Sequence, residues 1–279
     1  MKLLKNGLEL YVNSSLHVAL AIVAFTIITY LEYDLAINPE LIGFVFFSSI
    51  TGYNFVKYAG IAKLHHLSLA GNLRLIQIFS LLSFLALIYF SFQMRVEVLI
   101  ATAVLGVLTL FYAVPILGND RNLRSLPGLK IFIIAVVWAG SSVLLPMIAA
   151  MEVLGGNLIV DFLQRLTLVL VLTLPFEIRD LNFDSEALGT IPQKLGVGKT
   201  KIFGTILIGI IFLTEMFQWN FSSVSFVALS FTLILTIWLL WKARVEQTKY
   251  YSSFWVEAIP IFYLGIFLAM KCVDRNILF

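Results

Sequence analysis

The sequence predicts an all-α, polytopic membrane protein with nine transmembrane helices. Three observations carry this: composition, the spacing of apolar runs, and the sidedness of the basic residues. Of 279 residues, 60% are hydrophobic and 13% charged, and the mean hydropathy is +0.97. A soluble domain of this length cannot hide so much apolar surface, so lipid must be part of its solvent. A formal net charge of +3 is small, and no nucleic-acid partner is expected. The lone cysteine, Cys272, excludes an internal disulfide. The N-terminal MKLLKNGLELYVNSS has neither the apolar core nor the small-residue cleavage site of a removable signal.

Apolar runs cover 16–31, 41–57, 75–93, 97–117, 130–150, 160–176, 202–219, 222–241 and 254–270. Each is near the length that crosses about 30 Å of hydrocarbon at about 1.5 Å per helical residue. The sixth carries Asp161, Gln164 and Arg165 near its start and the seventh carries Glu215, so these two are the least apolar in character. Threading nine spans puts fifteen Lys and Arg on one side and four on the other. The positive-inside rule then places the N-terminus in the cytoplasm and the C-terminus outside, the expected location being a bacterial inner (plasma) membrane. The segments 58–74, 118–129 and 177–201 are long and lie on the basic side, where polar chemistry can be held by rigid helices. No Pro/Gly/Ser-rich linker interrupts the chain, so residues 1–279 read as a single domain.

The most chemically loaded stretch is PFEIRDLNFDSEALGTIPQKLG, residues 175 to 196. Glu177, Asp180 and Asp184 follow i, i+3, i+7 spacing, which aligns them on one face if the helix continues. Pro175 just upstream is placed to bend it. Hard carboxylate oxygens suit Mg²⁺, which is completed by water and substrate phosphates. Arg179 and Lys194 are nearby phosphate-binding candidates. The commoner fate of such a cluster is a solvated loop of mixed charge. LGVGKT at 195–200 is not a phosphate-binding loop: Gln193 stands where a glycine is required, and a membrane helix follows. His65 and His66 are adjacent and diverge, so they make no metal pair. Glu215 and Glu257 lie near span ends, where interfacial exposure accounts for both.

The stretch E177-I-R-D180-L-N-F-D184, followed by T190-I-P192 and L195-G196, resembles the second aspartate-rich motif of the UbiA-type intramembrane prenyltransferases. A second resemblance lies in FYAVPILGNDRNLRSLPGLKIFIIAVVWAG, through Tyr112, Pro115, Arg121, Arg124, Pro127-Gly128-Leu129-Lys130 and Trp138. The resemblance spans essentially the whole chain. It implies a helical bundle around a central lipid-facing cavity, with Mg²⁺ assisting transfer of an isoprenyl group from a diphosphate to a lipophilic or aromatic acceptor. It also implies Glu177, Asp180 and Asp184 as metal ligands. Tyr112, Arg121, Arg124, Lys130, Arg179 and Lys194 become substrate-binding candidates, with isoprenyl diphosphate and membrane lipids as partners.

One departure is large. The family's first motif, N-D-x-x-D-x-x-x-D, maps onto N54-F-V-K-Y-A-G-I-A62, so Phe55, Tyr58 and Ala62 replace three aspartates. Asn54 and Lys57 remain as substrate-binding candidates there, Lys57 offering a fixed positive charge in place of metal. The favoured reading of Lys57 is a snorkelling residue that marks the cytoplasmic end of the second span. Two functions are therefore open: a prenyltransferase, or a catalytically degenerate relative that binds an isoprenoid or other lipid as carrier, sensor or assembly partner.

Overall fold

A computed structural model describes residues 2–58, 70–115, 122–126, 128–152, 155–184, 188–218 and 222–277. Among these the chain is helical, without strands. The helices are α1 (Lys2–Asn13), α2 (Leu16–Glu32), α3 (Pro39–Tyr58), α4 (Ala70–Ser91), α5 (Val96–Ala113), α6 (Leu129–Ala139), α7 (Leu145–Ala149), α8 (Gly156–Asp180), α9 (Ile191–Met216), α10 (Ser223–Lys242) and α11 (Ile259–Ile277). A π-helical turn, Gly140–Leu144, joins α6 to α7, and another, Tyr251–Val256, leads into α11. Counting α6 with α7, the segments from α2 to α11 follow the nine expected spans in order.

Seven helices among the described residues are long and apolar enough to cross a membrane, or up to eight if the bent pair Asn6–Asn13 and Leu16–Glu32 counts as one span. The expected number of nine is thus not fully reached. The shortfall is α3, whose second half, S48-S-I-T-G-Y-N-F-V-K57, is polar for a membrane span. That polarity has structural uses, described below.

Neighbouring helices form a closed ring: α4 packs on α3, α3 on α2, α2 on α11, then α10, α9, α8, α6 and α5, which returns to α3. Burial tracks this arrangement. Only 11% of the residues in the apolar stretches of α4 and α5 are buried, against 61% across Leu129–Ala149. Leu81, Leu82 and Leu85 on α4 and Ile100 and Val104 on α5 are exposed, as lipid-facing side chains are. One apolar core joins α2, α3, α6, α8, α9, α10 and α11 through residues such as Phe25, Ile28, Leu41, Leu168, Leu174, Ile211, Leu233 and Ile259. Several buried hydroxyls are satisfied within their own helices, as low dielectric favours. Thr26 donates to Ile22 O at 2.9 Å, and Thr232 and Thr236 to Ala228 O and Thr232 O at 2.8 Å.

Candidate functional site

The acidic stretch begins on α8 and leaves it. Glu177 and Asp180 occupy the last turn of the helix, and Asp184 lies in the turn that follows, its N–H donating to Asp180 O at 2.8 Å. The single helical face expected for all three is therefore realised for two. Pro175 sits inside α8, and its carbonyl accepts from Gln247 Nε2 at 3.1 Å, which ties this turn to the approach to α11.

The next helix is built against Glu177. Thr190 precedes α9, Pro192 lies in its first turn, and the Thr190 N–H donates to Gln193 Oε1 at 2.9 Å. The Ile191 N–H, one of the donors that a helix start leaves orphaned, bonds to Glu177. Glu177 is 3% exposed, and its Oε2 is buried without a hydrogen-bond partner. A buried carboxyl oxygen left bare is costly. A ligand group or cation seated there would satisfy it.

Glu177 and Asp180 line a cavity of about 180 Å³ together with Arg124, Lys130 and Glu257 at its polar side. Ile131, Ile134, Trp138, Leu172 and Phe176 form the apolar side, and Tyr53 completes it. Arg124 is brought in by a 3₁₀ turn, Leu123–Ser125, capped by Asn122, whose Oδ1 accepts from the Ser125 N–H at 3.0 Å. Lys130 sits in the first turn of α6, behind Gly128 at φ 71°, a left-handed conformation that favours glycine. Gly128 and Leu129 thus act as a device for aiming Lys130. Lys130 Nζ lies 3.3 Å from Asp184 Oδ2. Arg179 grips Asp180 with two bonds, Nε to Oδ1 at 2.7 Å and Nη2 to Oδ2 at 3.0 Å. Tyr112, 6% exposed, stands within Coulombic reach of Arg124, Glu177 and Asp184.

The remaining candidates fall elsewhere. Asn54 is 3% exposed and committed to protein partners: Nδ2 donates to Ser14 O at 3.1 Å and Ser80 Oγ at 2.8 Å, and Oδ1 accepts from Ser15 Oγ at 2.8 Å. Lys57 Nζ donates to Val12 O and Tyr58 OH to Asn13 O, both at 3.1 Å. Three residues of α3 thus satisfy carbonyls 12 to 14, those at the C-terminal end of α1, which no intrahelical donor reaches. Lys194 is exposed on α9. Arg121 lies outside the described residues.

Two participants escaped sequence reasoning. Glu257, expected at an interface, lines this cavity instead, within Coulombic reach of Lys57 and Arg179. Glu215 likewise faces a cavity, at the other end of the bundle. Tyr53 joins through its hydroxyl, which accepts from Trp138 Nε1 at 2.5 Å. Among the described residues no three His, Cys, Asp or Glu side chains stand close enough to hold a metal unaided. The pair Glu177 and Asp180, hard oxygens on one wall with one oxygen bare, fits Mg²⁺ held jointly with substrate phosphates.

No family model and no curated protein sequence matches the chain. Solved structures do match. One, from work on digeranylgeranylglyceryl phosphate synthase in membranes, is 16% identical with a TM-score of 0.59, covering 96% of this chain and 98% of its own. Another, the apo structure of a UbiA homolog from Aeropyrum pernix K1, is 15% identical with a TM-score of 0.66, covering 92% and 98%. Over nearly the full length of both neighbours, this integral membrane protein has the UbiA-type fold.

Proposed function

We propose that the protein is an intramembrane prenyltransferase, moving an isoprenyl group from a polyprenyl diphosphate to a lipophilic or aromatic acceptor, with the end that carries Glu177, Asp180 and Lys130 on the cytoplasmic side. The observation that carries this reading is the cavity's division. Arg124 and Lys130 supply positive charge beside a bare Glu177 oxygen, and an apolar wall of Trp138, Phe176 and Ile134 continues from it. An amphiphile with an anionic head and a hydrocarbon tail has that shape.

Glu177 and Asp180 would hold Mg²⁺, which when bound neutralises charge on the diphosphate. Arg124 and Lys130 would meet the phosphate oxygens with charge-assisted hydrogen bonds. The carbon–oxygen bond to the diphosphate breaks with its electron pair on the departing oxygen, the acceptor supplies the pair for the new bond, and the proton the acceptor sheds passes to the released diphosphate. Trp138, Phe176 and Ile131 keep water from the exposed carbon. Arg179 keeps Asp180 oriented through two hydrogen bonds; carboxylates have lone pairs enough to retain them while facing a cation.

A second reading, a non-catalytic lipid binder, draws on α3, where the residues aligned with the first motif are engaged in holding α1. Titration of the purified protein with geranylgeranyl diphosphate and with the uncharged prenol, each with and without Mg²⁺, separates the two. The enzyme reading expects tight, Mg²⁺-dependent binding of the diphosphate alone. Equal binding of prenol and diphosphate, indifferent to Mg²⁺, would hand the case to the lipid binder.

A further inference from the structure

A second, larger cavity of about 580 Å³ opens at the opposite end of the bundle, among the ends of α2, α8, α9, α10 and α11. Its volume lies within the range of small-molecule sites, roughly 300–1,000 Å³. It shares no lining residue with the site described above.

Its charges do not balance. Arg165, 6% exposed, is fully engaged: it lies 4.2 Å over the Phe25 ring, Nη1 donates to Phe25 O at 2.9 Å, and Nη2 stands 3.6 Å from Glu32 Oε2. The other Glu32 oxygen accepts from Tyr263 OH at 2.9 Å. Lys271 pairs with Asp34 at 3.2 Å. Each cation on the wall is thereby matched by a carboxylate. Two acids are left over, Asp161 and Glu215, and only neutral donors serve them. Asp161 accepts from Tyr33 OH and from Gln218 Nε2, the latter at 2.6 Å, and Glu215 is served by Gln164. Gln218 Nε2 also lies 3.4 Å from Gln164 Oε1, and Gln164 Nε2 donates to Thr214 Oγ1 at 3.0 Å, one residue before Glu215, so a pair of amides spans the wall between the two acids. Among the described residues neither has a cation within ion-pair distance.

Both acids belong to membrane-length helices, and Glu215 is only 9% exposed. Carboxylates at such positions are expensive and ordinarily find a positive partner. Here the cavity leaves room for one from outside. Amides and hydroxyls on the walls suit a cation that carries N–H donors.

We propose that this cavity binds an organic ammonium group between Asp161 and Glu215, with Gln164, Gln218 and Tyr33 bonding its neighbouring polar atoms. The group can come from an aminophospholipid headgroup or from a free amine. The inference does not depend on the chemistry at the other end of the molecule.

The test uses the full-length protein, wild type and Asp161→Asn/Glu215→Gln, the variant being nearly isosteric. Native mass spectrometry after incubation with phosphatidylethanolamine, phosphatidylcholine or phosphatidylglycerol reads the lipid arm. Titration with ethanolamine, and with Ca²⁺ alone, reads the free-ligand arm. Wild type should retain phosphatidylethanolamine or ethanolamine about tenfold or more tightly than the variant, the scale of one charge-assisted hydrogen bond. A preference in the lipid arm alone names the headgroup as source, and one in the ethanolamine arm alone names the free amine. Equal retention of all three lipids by wild type together with no ethanolamine binding overturns the proposal. So does binding of Ca²⁺ in place of the amine, or an amine affinity that the variant retains. Should the variant fail to fold, the wild-type comparison among lipids and amines decides by itself.

Discussion

At the scale of single residues, two lysines that look alike in sequence have different surroundings. Lys130 lines the cavity beside Glu177 and Asp180. Lys57 spends its ammonium on the Val12 carbonyl. Lys130→Ala should weaken prenyl diphosphate binding by roughly ten- to a hundred-fold, the worth of a charge-assisted hydrogen bond, and leave prenol binding unchanged. Lys57→Ala should change the same affinity by less than about threefold, as an exposed charge does. Equal losses in the two variants, read by calorimetry, would return Lys57 to the phosphate site that its alignment with the first motif suggested. Glu177→Gln separates charge from shape in a similar way. Its amide oxygen can still accept the Ile191 N–H, so the fold should persist while the Mg²⁺-dependent part of diphosphate affinity disappears. A variant that binds diphosphate with undiminished Mg²⁺ dependence would remove Glu177 from the proposed ligand pair.

At the scale of elements, what could be read in advance was whatever repeats along the chain. Lipid imposes long apolar runs, so the spans from α2 to α11 could be placed to within about five residues, apart from the end of α11 and the start of α9. The apolar run of α9 starts at 202, but the helix starts at Ile191 and is interrupted at Gly196, with φ 77° and ψ 160°. That interruption explains the Leu-Gly of the motif. A short helical piece first delivers the Ile191 N–H to Glu177, and the chain then re-aims before crossing. A side chain is strained in such a conformation by about 1–3 kcal/mol. Gly196→Ala should lose that much stability in denaturant titration, whereas Gly198→Ala, with open space around a Cβ, should be neutral or gain up to about 1 kcal/mol. Equal effects of the two would mean that the break is not required. The cavity itself was only half legible. Glu177, Asp180, Arg124 and Lys130 sit in local motifs, but Glu257 and Tyr53 come from helices distant in sequence, and only the ring of helices brings them together.

At the scale of the whole molecule, the two ends of the bundle carry different chemistry, and sidedness decides what each can meet. One end presents Arg124, Lys130 and the acidic pair around a cavity of about 180 Å³; the other presents the polar cavity of about 580 Å³ with its surplus of acid. The nine-span threading assigns fifteen Lys and Arg to the side of the first end and four to the other, and such residues are retained in the cytoplasm. A diphosphate made in the cytoplasm would then reach Lys130 without crossing the bilayer, and the acidic cavity would face outward. Phe183 and Phe217 report on the two ends, being 86% and 82% exposed just beyond α8 and α9. In a Cys272→Ser background, which removes the exposed native thiol, a membrane-impermeant maleimide applied to intact cells should label Phe217→Cys. It should reach Phe183→Cys only after the membrane is opened. Labelling of both from outside would break the nine-pass arrangement, because α9 alone separates the two positions. Labelling of Phe183→Cys alone would invert the molecule and turn its diphosphate site away from the cytoplasm.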